Sequence, residues 1–285
     1  MSSLDVTNRP NLIIGCGYLG KRVAARWVQS GVRVAALTRR NAQALAATGI
    51  EPITGDVLAP ATLRGLPAAD TVLYAVGMDR TAGKSMREVY VSGLSHVLDA
   101  LPGCRRFIYV SSTGVYGQTD GGWVDEDSPT EPVEESGKVV LEAERLLRER
   151  RPDAIILRFA GMYGPDRLPR RVPVLKGEPL IGDADKWLNL IHIDDGVEAV
   201  LAAGNRLGNP TLNITDDAPV TRRAFYSLLA ELLHAPPAKF YHRPEPGTAN
   251  RRVSSRKAHE VLGWAPRYGS CNIGLPAAVA ASTPD

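Results

Sequence analysis

The chain has 285 residues, 44% apolar and 23% charged, which is ordinary globular composition and excludes intrinsic disorder over most of its length. Thirty-four basic against 31 acidic residues leave a formal net charge of +3, and no block of five like charges occurs, which argues against a nucleic-acid-binding surface as the main function. At roughly 150 residues per domain, the length suggests about two domains, or one large α/β domain with an appendage.

Taken in chain order, the first half alternates strand and helix patterns. Residues 11–15 (NLIIG) read as a short buried strand, and 21–30 as a helix with Val23, Ala24, Trp27 and Val28 on one stripe. Strands follow at 33–37, 51–54, 71–76, 106–110 and 154–159, with helices at 42–47, 86–101 and 134–150 between them. Val89, Gly93, Val97 and Leu101 stack at i, i+4 spacing in the 86–101 helix. Short apolar strands separated by helices predict a parallel sheet covered on both faces. Residues 161–182 carry four prolines and read as loops at the carboxyl edge of the sheet. Then come a strand at 188–193, a helix at 194–203, a strand at 211–214, a helix from the N-cap Thr221 to Leu233, and a short helix at 254–262 ending at Gly263. The tail past Ala277 is expected to fray.

The residues 15–20 (GCGYLG) fit GxGxxG in the context that motif needs, after a strand and opening a helix. Gly15 permits the tight turn, Gly17 lets backbone approach a pyrophosphate, and Gly20 lets helix and strand pack closely, with Tyr18 and Leu19 between them. The helix N-terminus offers N–H groups to the phosphates. At the end of the second strand stand Thr38, Arg39 and Arg40, with no carboxylate to hold a ribose 2′-hydroxyl. Guanidinium groups pair with phosphate bidentately, so NADP is expected over NAD. The plainer alternative is that both arginines are solvated.

At this point the chain resembles the short-chain dehydrogenase/reductase superfamily, in its extended branch of NAD(P)-dependent epimerase/dehydratases acting on nucleotide sugars, and an atypical subgroup of that branch. The resemblance spans nearly the whole chain. Besides the glycine turn it rests on 55–57 (GDV), 74–77 (YAVG), 110–117 (VSSTGVYG), Arg158 through Gly164 and Pro165, 190–195 (LIHIDD), 212–214 (LNI) and 262–266 (LGWAP). It implies that Asp56 and Val57 lie at the adenine, that Ala75, Val76, Gly77 and Ser111 line the cofactor, and that Ser112 is the catalytic serine. It also implies that His192 and Asp195 lie near the substrate, although an aspartate after a strand is often a helix cap.

The same family carries a tyrosine and, four residues on, a lysine on its catalytic helix. The lysine's charge lowers the phenol's pKa so that it can exchange a proton as hydride moves. Ungapped alignment places Ser136 at the tyrosine position and Val140 at the lysine position, so neither role survives in its usual form. Lys138 lies two residues along, about 200° around the helix. Ser112, Ser136 and Tyr116 are the remaining catalytic candidates, Tyr116 as a substitute proton relay. Tyr163, Arg170 and Arg251 are candidate substrate contacts, the arginines for an anionic group. Packing, for the tyrosines, and solvated loop charge, for the arginines, are the competing readings.

Other chemistry is not expected. Five histidines, His96, His192, His234, His242 and His259, never pair at metal-ligand spacing. Cys16, Cys104 and Cys271 are too few and too far apart for a disulfide framework, which suits a reducing, cytoplasmic compartment. No apolar run approaches about 18 residues and the first ten residues do not read as a signal peptide, so neither membrane nor export is expected. The expectation is an α/β protein with a Rossmann-type doubly wound parallel sheet. Residues 9–160, with 188–216 returning to them, would form the NAD(P)-binding domain, and 161–187 with 217–285 a small C-terminal substrate-binding region. Its partners would be a small-molecule substrate, a nucleotide sugar among them, and a second copy in a homodimer. Loss of the dyad leaves a second reading open, an NADP-binding redox-responsive regulator or scaffold without turnover.

Overall fold

Strands β1 (Asn11–Ile14), β2 (Val34–Thr38), β3 (Glu51–Thr54), β4 (Ala69–Tyr74), β5 (Cys104–Ser112), β6 (Ile155–Phe159) and β7 (Thr211–Ile214) form one seven-stranded sheet, ordered β7-β6-β5-β4-β1-β2-β3. The computed structural model describes residues 9–79, 81–206, 208–241 and 247–283, so His242 and the start of the chain lie outside the described residues. From β3 to β5 every pairing is parallel, with Ile14 opposite both Leu37 and Tyr74. Strand order reverses between β1 and β4, the switch point outside which open α/β sheets bind ligands. The expected Rossmann-type sheet is therefore present.

The local reasons follow from the side chains. All four residues of β1 are buried, as a strand covered on both faces requires. Helix α1 (Tyr18–Gln29) buries Leu19, Gly20, Val23, Ala24 and Trp27, one stripe at helical spacing. Helices α2 (Ala42–Ala46), α3 (Gly93–Ala100) and α4 (Glu135–Arg150) follow. The predicted 86–101 helix contains a wide π turn, Glu88–Ser92, before α3 begins. Leu12, Ile14, Val72, Phe107, Val139, Ala143 and Leu147 belong to one core cluster. Within it Tyr74 stacks on Tyr109 at 5.7 Å between ring centroids.

By its contacts the chain divides into two compact units, residues 1–111, 138–157 and 200–211, and residues 112–137, 158–199 and 212–285. The remaining helices are α5 (Arg171–Leu175), α6 (Ile193–Gly204), α7 (Arg222–Leu232), α8 (Arg256–Leu262) and α9 (Cys271–Ala280). Thr221 caps α7 by accepting from the Ala224 N–H at 3.2 Å. Gly263 ends α8 at φ +62°. Tyr163, Phe225, Leu229, Cys271 and Leu275 share a second core cluster.

Three expectations need correction. The tail does not fray at Ala277, because α9 runs to Ala280 and Asp166 then accepts from the Thr283 N–H at 2.9 Å. Residues 161–182 are not all loop, since Gly161–Tyr163 pairs with Leu190–His192 and Leu180–Ile181 with Phe240–Tyr241. The single strand expected at 188–193 is two, because Trp187–Leu188 pairs instead with Val220–Thr221. The change of partner falls at Asn189, whose amide donates to the Arg251 carbonyl at 2.9 Å and accepts from the Val253 N–H at 2.7 Å.

Candidate functional site

In the first unit the three glycines after β1 do three different things. Gly15 has φ +97°, and a Cβ there would lie 2.5 Å from the Ala75 carbonyl oxygen. A Cβ on Gly20 would lie 2.5 Å from the Gly15 carbonyl oxygen, so only glycine lets α1 close on the turn. Gly17 is exposed, and a Cβ there would meet nothing within 4 Å. That open space is compatible with the close approach of a pyrophosphate to the backbone. Helix α1 starts directly after Gly17, with no capping side chain and no acid in its first turn, so its N–H groups and positive end face outward. The residues present fit the phosphates of a dinucleotide.

Around this turn the expected cofactor residues divide. Thr38 accepts from the Asn41 N–H through its hydroxyl at 3.2 Å. Arg39 and Arg40 are exposed, and Arg39 Nη2 donates to Asp79 Oδ2 at 3.1 Å. Hydrogen bonds from Thr81, then from Arg39, hold the Asp79 carboxyl below its ordinary range. Asp56 is half-buried and ties its own loop, accepting from the Leu58 N–H at 2.9 Å. Ala75 and Val76 are half-buried and Gly77 exposed. Leu19 and Val57 are core residues, 5% and 8% exposed. Tyr18 is half-buried, with the Arg22 guanidinium 4.2 Å from its ring centre. The Ser111 hydroxyl is turned into the core, where it donates to buried Glu144 at 2.5 Å. Cys16 sits inside the glycine turn, where burial pushes its thiol up to about 11.

The second unit holds the catalytic candidates. Ser112 Oγ accepts from the Gly114 N–H at 3.0 Å, which leaves the serine's own proton to donate elsewhere. Gly137, in the first turn of α4, packs against the Gly114 carbonyl so closely that no Cβ would fit. That contact brings the turn carrying exposed Ser136 beside the turn carrying Ser112. Arg251 is half-buried and donates to the Thr113 carbonyl at 2.6 Å. Burial lowers its pKa, opposed by the charge of Glu134. Its Nε is buried with no protein partner among the described residues.

Tyr116 lies deeper, at 0% exposure. Its hydroxyl donates to Asn213 Oδ1 at 2.9 Å and accepts from Arg158 Nη1 at 2.9 Å. Burial raises the phenol's pKa, and the Arg158 charge acts against that. Asn213 in turn donates its N–H to Glu126 Oε1 at 2.6 Å. Arg158, Asn213 and Glu126 were not singled out for these roles. The available signal was a polar residue interrupting an apolar strand, in ILRF and in TLNI.

Tyr163 and Arg170 stand apart from that group. Tyr163 is 0% exposed, edge-on to His192 at 5.4 Å and to Phe225 at 6.3 Å. Arg170 is exposed in a left-handed conformation, φ +58°, just before α5. Asp195 does not cap its own helix. Its carboxylate accepts from the Arg267 and Tyr268 N–H groups at 2.8 and 2.9 Å. No group of three or more potential metal ligands occurs among the described residues, and no described helix is long and apolar enough to cross a membrane.

Comparison with known proteins agrees with the fold. The chain is 30% identical to protein YeeZ of Escherichia coli K12 over 267 residues, 90% of this chain and 95% of that one. It is 28% identical to a UDP-glucose 4-epimerase of Mycolicibacterium smegmatis over 187 residues, 59% of each chain. The structure of MoeE5 in complex with UDP-glucose and NAD is similar at a TM-score of 0.79 and 26% identity, covering 95% of this chain and 97% of that one. Residues 12–214 match the profile of one family, a span that runs from the glycine turn through the Ser112 turn to the last sheet strand, and the chain accordingly belongs to the NAD dependent epimerase/dehydratase family.

Proposed function

We propose that the protein binds NADP in preference to NAD and acts as an oxidoreductase or epimerase on an anionic small molecule, with nucleotide sugars the leading class. The observation that carries this reading is the Gly17 position, where a side chain would meet no protein atom at the very start of α1, the place at which a glycine of this motif lets backbone approach a pyrophosphate. Residues 9–160 with 188–216 serve the cofactor, and 161–187 with 217–285 the substrate. Gly15, Gly17 and the first turn of α1 hold the pyrophosphate, and Arg39 and Arg40 face the 2′-phosphate. A bound nicotinamide supplies or accepts hydride.

The chain's own residues handle the oxygen. Ser112 donates its proton in a hydrogen bond to the reacting oxygen and polarises it, because its lone pair already accepts from Gly114. Ser136 offers a second hydroxyl beside it. Arg251, with an unused Nε donor, binds a substrate anion. Tyr116 serves the structure of the site in this reading, since its proton is committed to Asn213. Without a Tyr–Lys dyad, turnover is slower by the usual contribution of a general acid or base, about 10²–10⁴-fold.

Titration calorimetry with oxidised and reduced NADP and NAD tests the first half. NADP is expected to bind more tightly, and heat with none of the four overturns the reading. Oxidation of NADPH, followed by absorbance against nucleotide sugars and ketones, tests the second half, with Ser112→Ala expected to abolish turnover. The committed Tyr116 proton and the uncharged Val140 favour one other reading, a protein that binds NADP and senses its redox state without turning substrate over. Binding with no turnover across the whole panel selects it.

A further inference from the structure

The loop after β4 is latched twice within the first unit. The Met78 N–H donates to the Tyr90 hydroxyl at 3.2 Å, and Tyr90 sits in the π turn that precedes α3. Asp79 Oδ1 accepts from the Thr81 N–H at 3.1 Å and from the Thr81 hydroxyl at 2.7 Å. That leaves Asp79 Oδ2, which accepts from Arg39 at 3.1 Å. Arg39 follows β2 and Asp79 follows β4, and these strands flank β1 on either side. The ion pair therefore joins the segments that follow the two strands on either side of β1, the strand that leads into the Gly15–Gly17 turn. With side chains 44% and 33% exposed, the pair contributes little to folding.

We propose that Asp79 is a built-in competitor of the cofactor's 2′-phosphate, holding Arg39 until NADP takes that guanidinium, so that Asp79 sets how far the protein favours NADP over NAD. This rests on the reading that the glycine turn holds a nicotinamide dinucleotide. The chemistry is specific to the 2′ position. A 2′-phosphate carries charge and several acceptor oxygens and can engage a guanidinium bidentately, whereas Asp79 offers Arg39 one contact. A neutral 2′-hydroxyl has no such claim on Arg39. Displaced Asp79 does not leave, because Thr81 still holds its other oxygen. It remains a negative charge close to the phosphate and subtracts from NADP affinity.

Asp79→Asn tests this, since the amide oxygen can still accept from Thr81 while the charge is gone. Calorimetry on the full chain should show NADP bound about twofold to fivefold more tightly and NAD unchanged. Arg39→Ala should weaken NADP, leave NAD within about twofold, and cancel the gain from Asp79→Asn in the double variant. Unchanged or weaker NADP binding by Asp79→Asn, or an equal change for NAD, overturns the proposal while the cofactor reading stands. A parent protein that binds neither dinucleotide overturns both.

Discussion

Gly15 and Gly17 are separable by substitution because only one of them is needed by the fold. Gly15→Ala must adopt φ +97° and push on Ala75, so the variant is expected to lose about 1–3 kcal/mol in urea unfolding. Gly17→Ala meets no neighbouring atom and loses only the preference for glycine at a helix N-cap, so its stability should fall less than that of Gly15→Ala while dinucleotide affinity falls about tenfold or more. Tyr116→Phe makes the converse case. Removing its hydroxyl takes the donor from buried Asn213 Oδ1 and one acceptor from Arg158, at a cost of about 1–3 kcal/mol. Turnover per folded molecule should stay near the parent value, and a selective fall in kcat would instead make Tyr116 a proton relay. The glycine turn was legible because its demands are local and lie in the backbone. The Tyr116 network was not, because its partners stand 42 and 97 residues away, and no local pattern announces which strands become neighbours.

Elements were legible where one face is apolar and the caps are standard. Helix α7 has both a stripe and the Thr221 cap, and α8 ends on a left-handed glycine. Helix α9 offered neither signal. Its sequence CNIGLPAAVA has no polar face, Gly274 lowers helix propensity, and Pro276 removes a backbone donor. Packing decides the outcome instead, since Leu275 and Ala278 are 0% exposed in the second core. Gly274 is there for a reason no single-element pattern contains: it lies against the Tyr163 hydroxyl, where a Cβ would collide. Gly274→Ala should therefore destabilise by about 1–3 kcal/mol, although alanine is the better helix former. A more stable variant in thermal melting would show that propensity outweighs the clash. The split strand at Asn189 was missed for a related reason. Periodicity marks residues that favour strand, but not the point at which the pairing partner changes.

At the scale of the whole molecule, the alternation of strands and helices carried the fold because the inner strands β1, β2, β4 and β6 are buried along almost their whole length, whereas the edge strand β3 is not. What it did not carry is how the folded state responds to solution. Asp216 is 1% exposed in the second unit, and burial pushes its carboxyl up to about 8, with Asp217 and Asp195 adding to the rise and the Ala218 N–H opposing it. The folded chain thus keeps a proton that the unfolded chain releases above about pH 4. Asp216 then contributes stability fully present below pH 4, lost progressively up to about pH 8, and constant above it. The slope at its steepest is about 1.4 kcal/mol per pH unit. Buried Asp195 and half-buried Glu126 are also raised by burial and act in the same direction. The lowered carboxyls of Asp70, Asp79, Glu88 and Asp153 change their contribution only below about pH 4 to 5 and add almost no slope above that. Urea midpoints measured from pH 5 to pH 8 should therefore fall with rising pH, and Asp216→Asn should flatten the fall and be the more stable protein at pH 8. A parent slope that survives the substitution unchanged would move the proton from Asp216 to another buried acid.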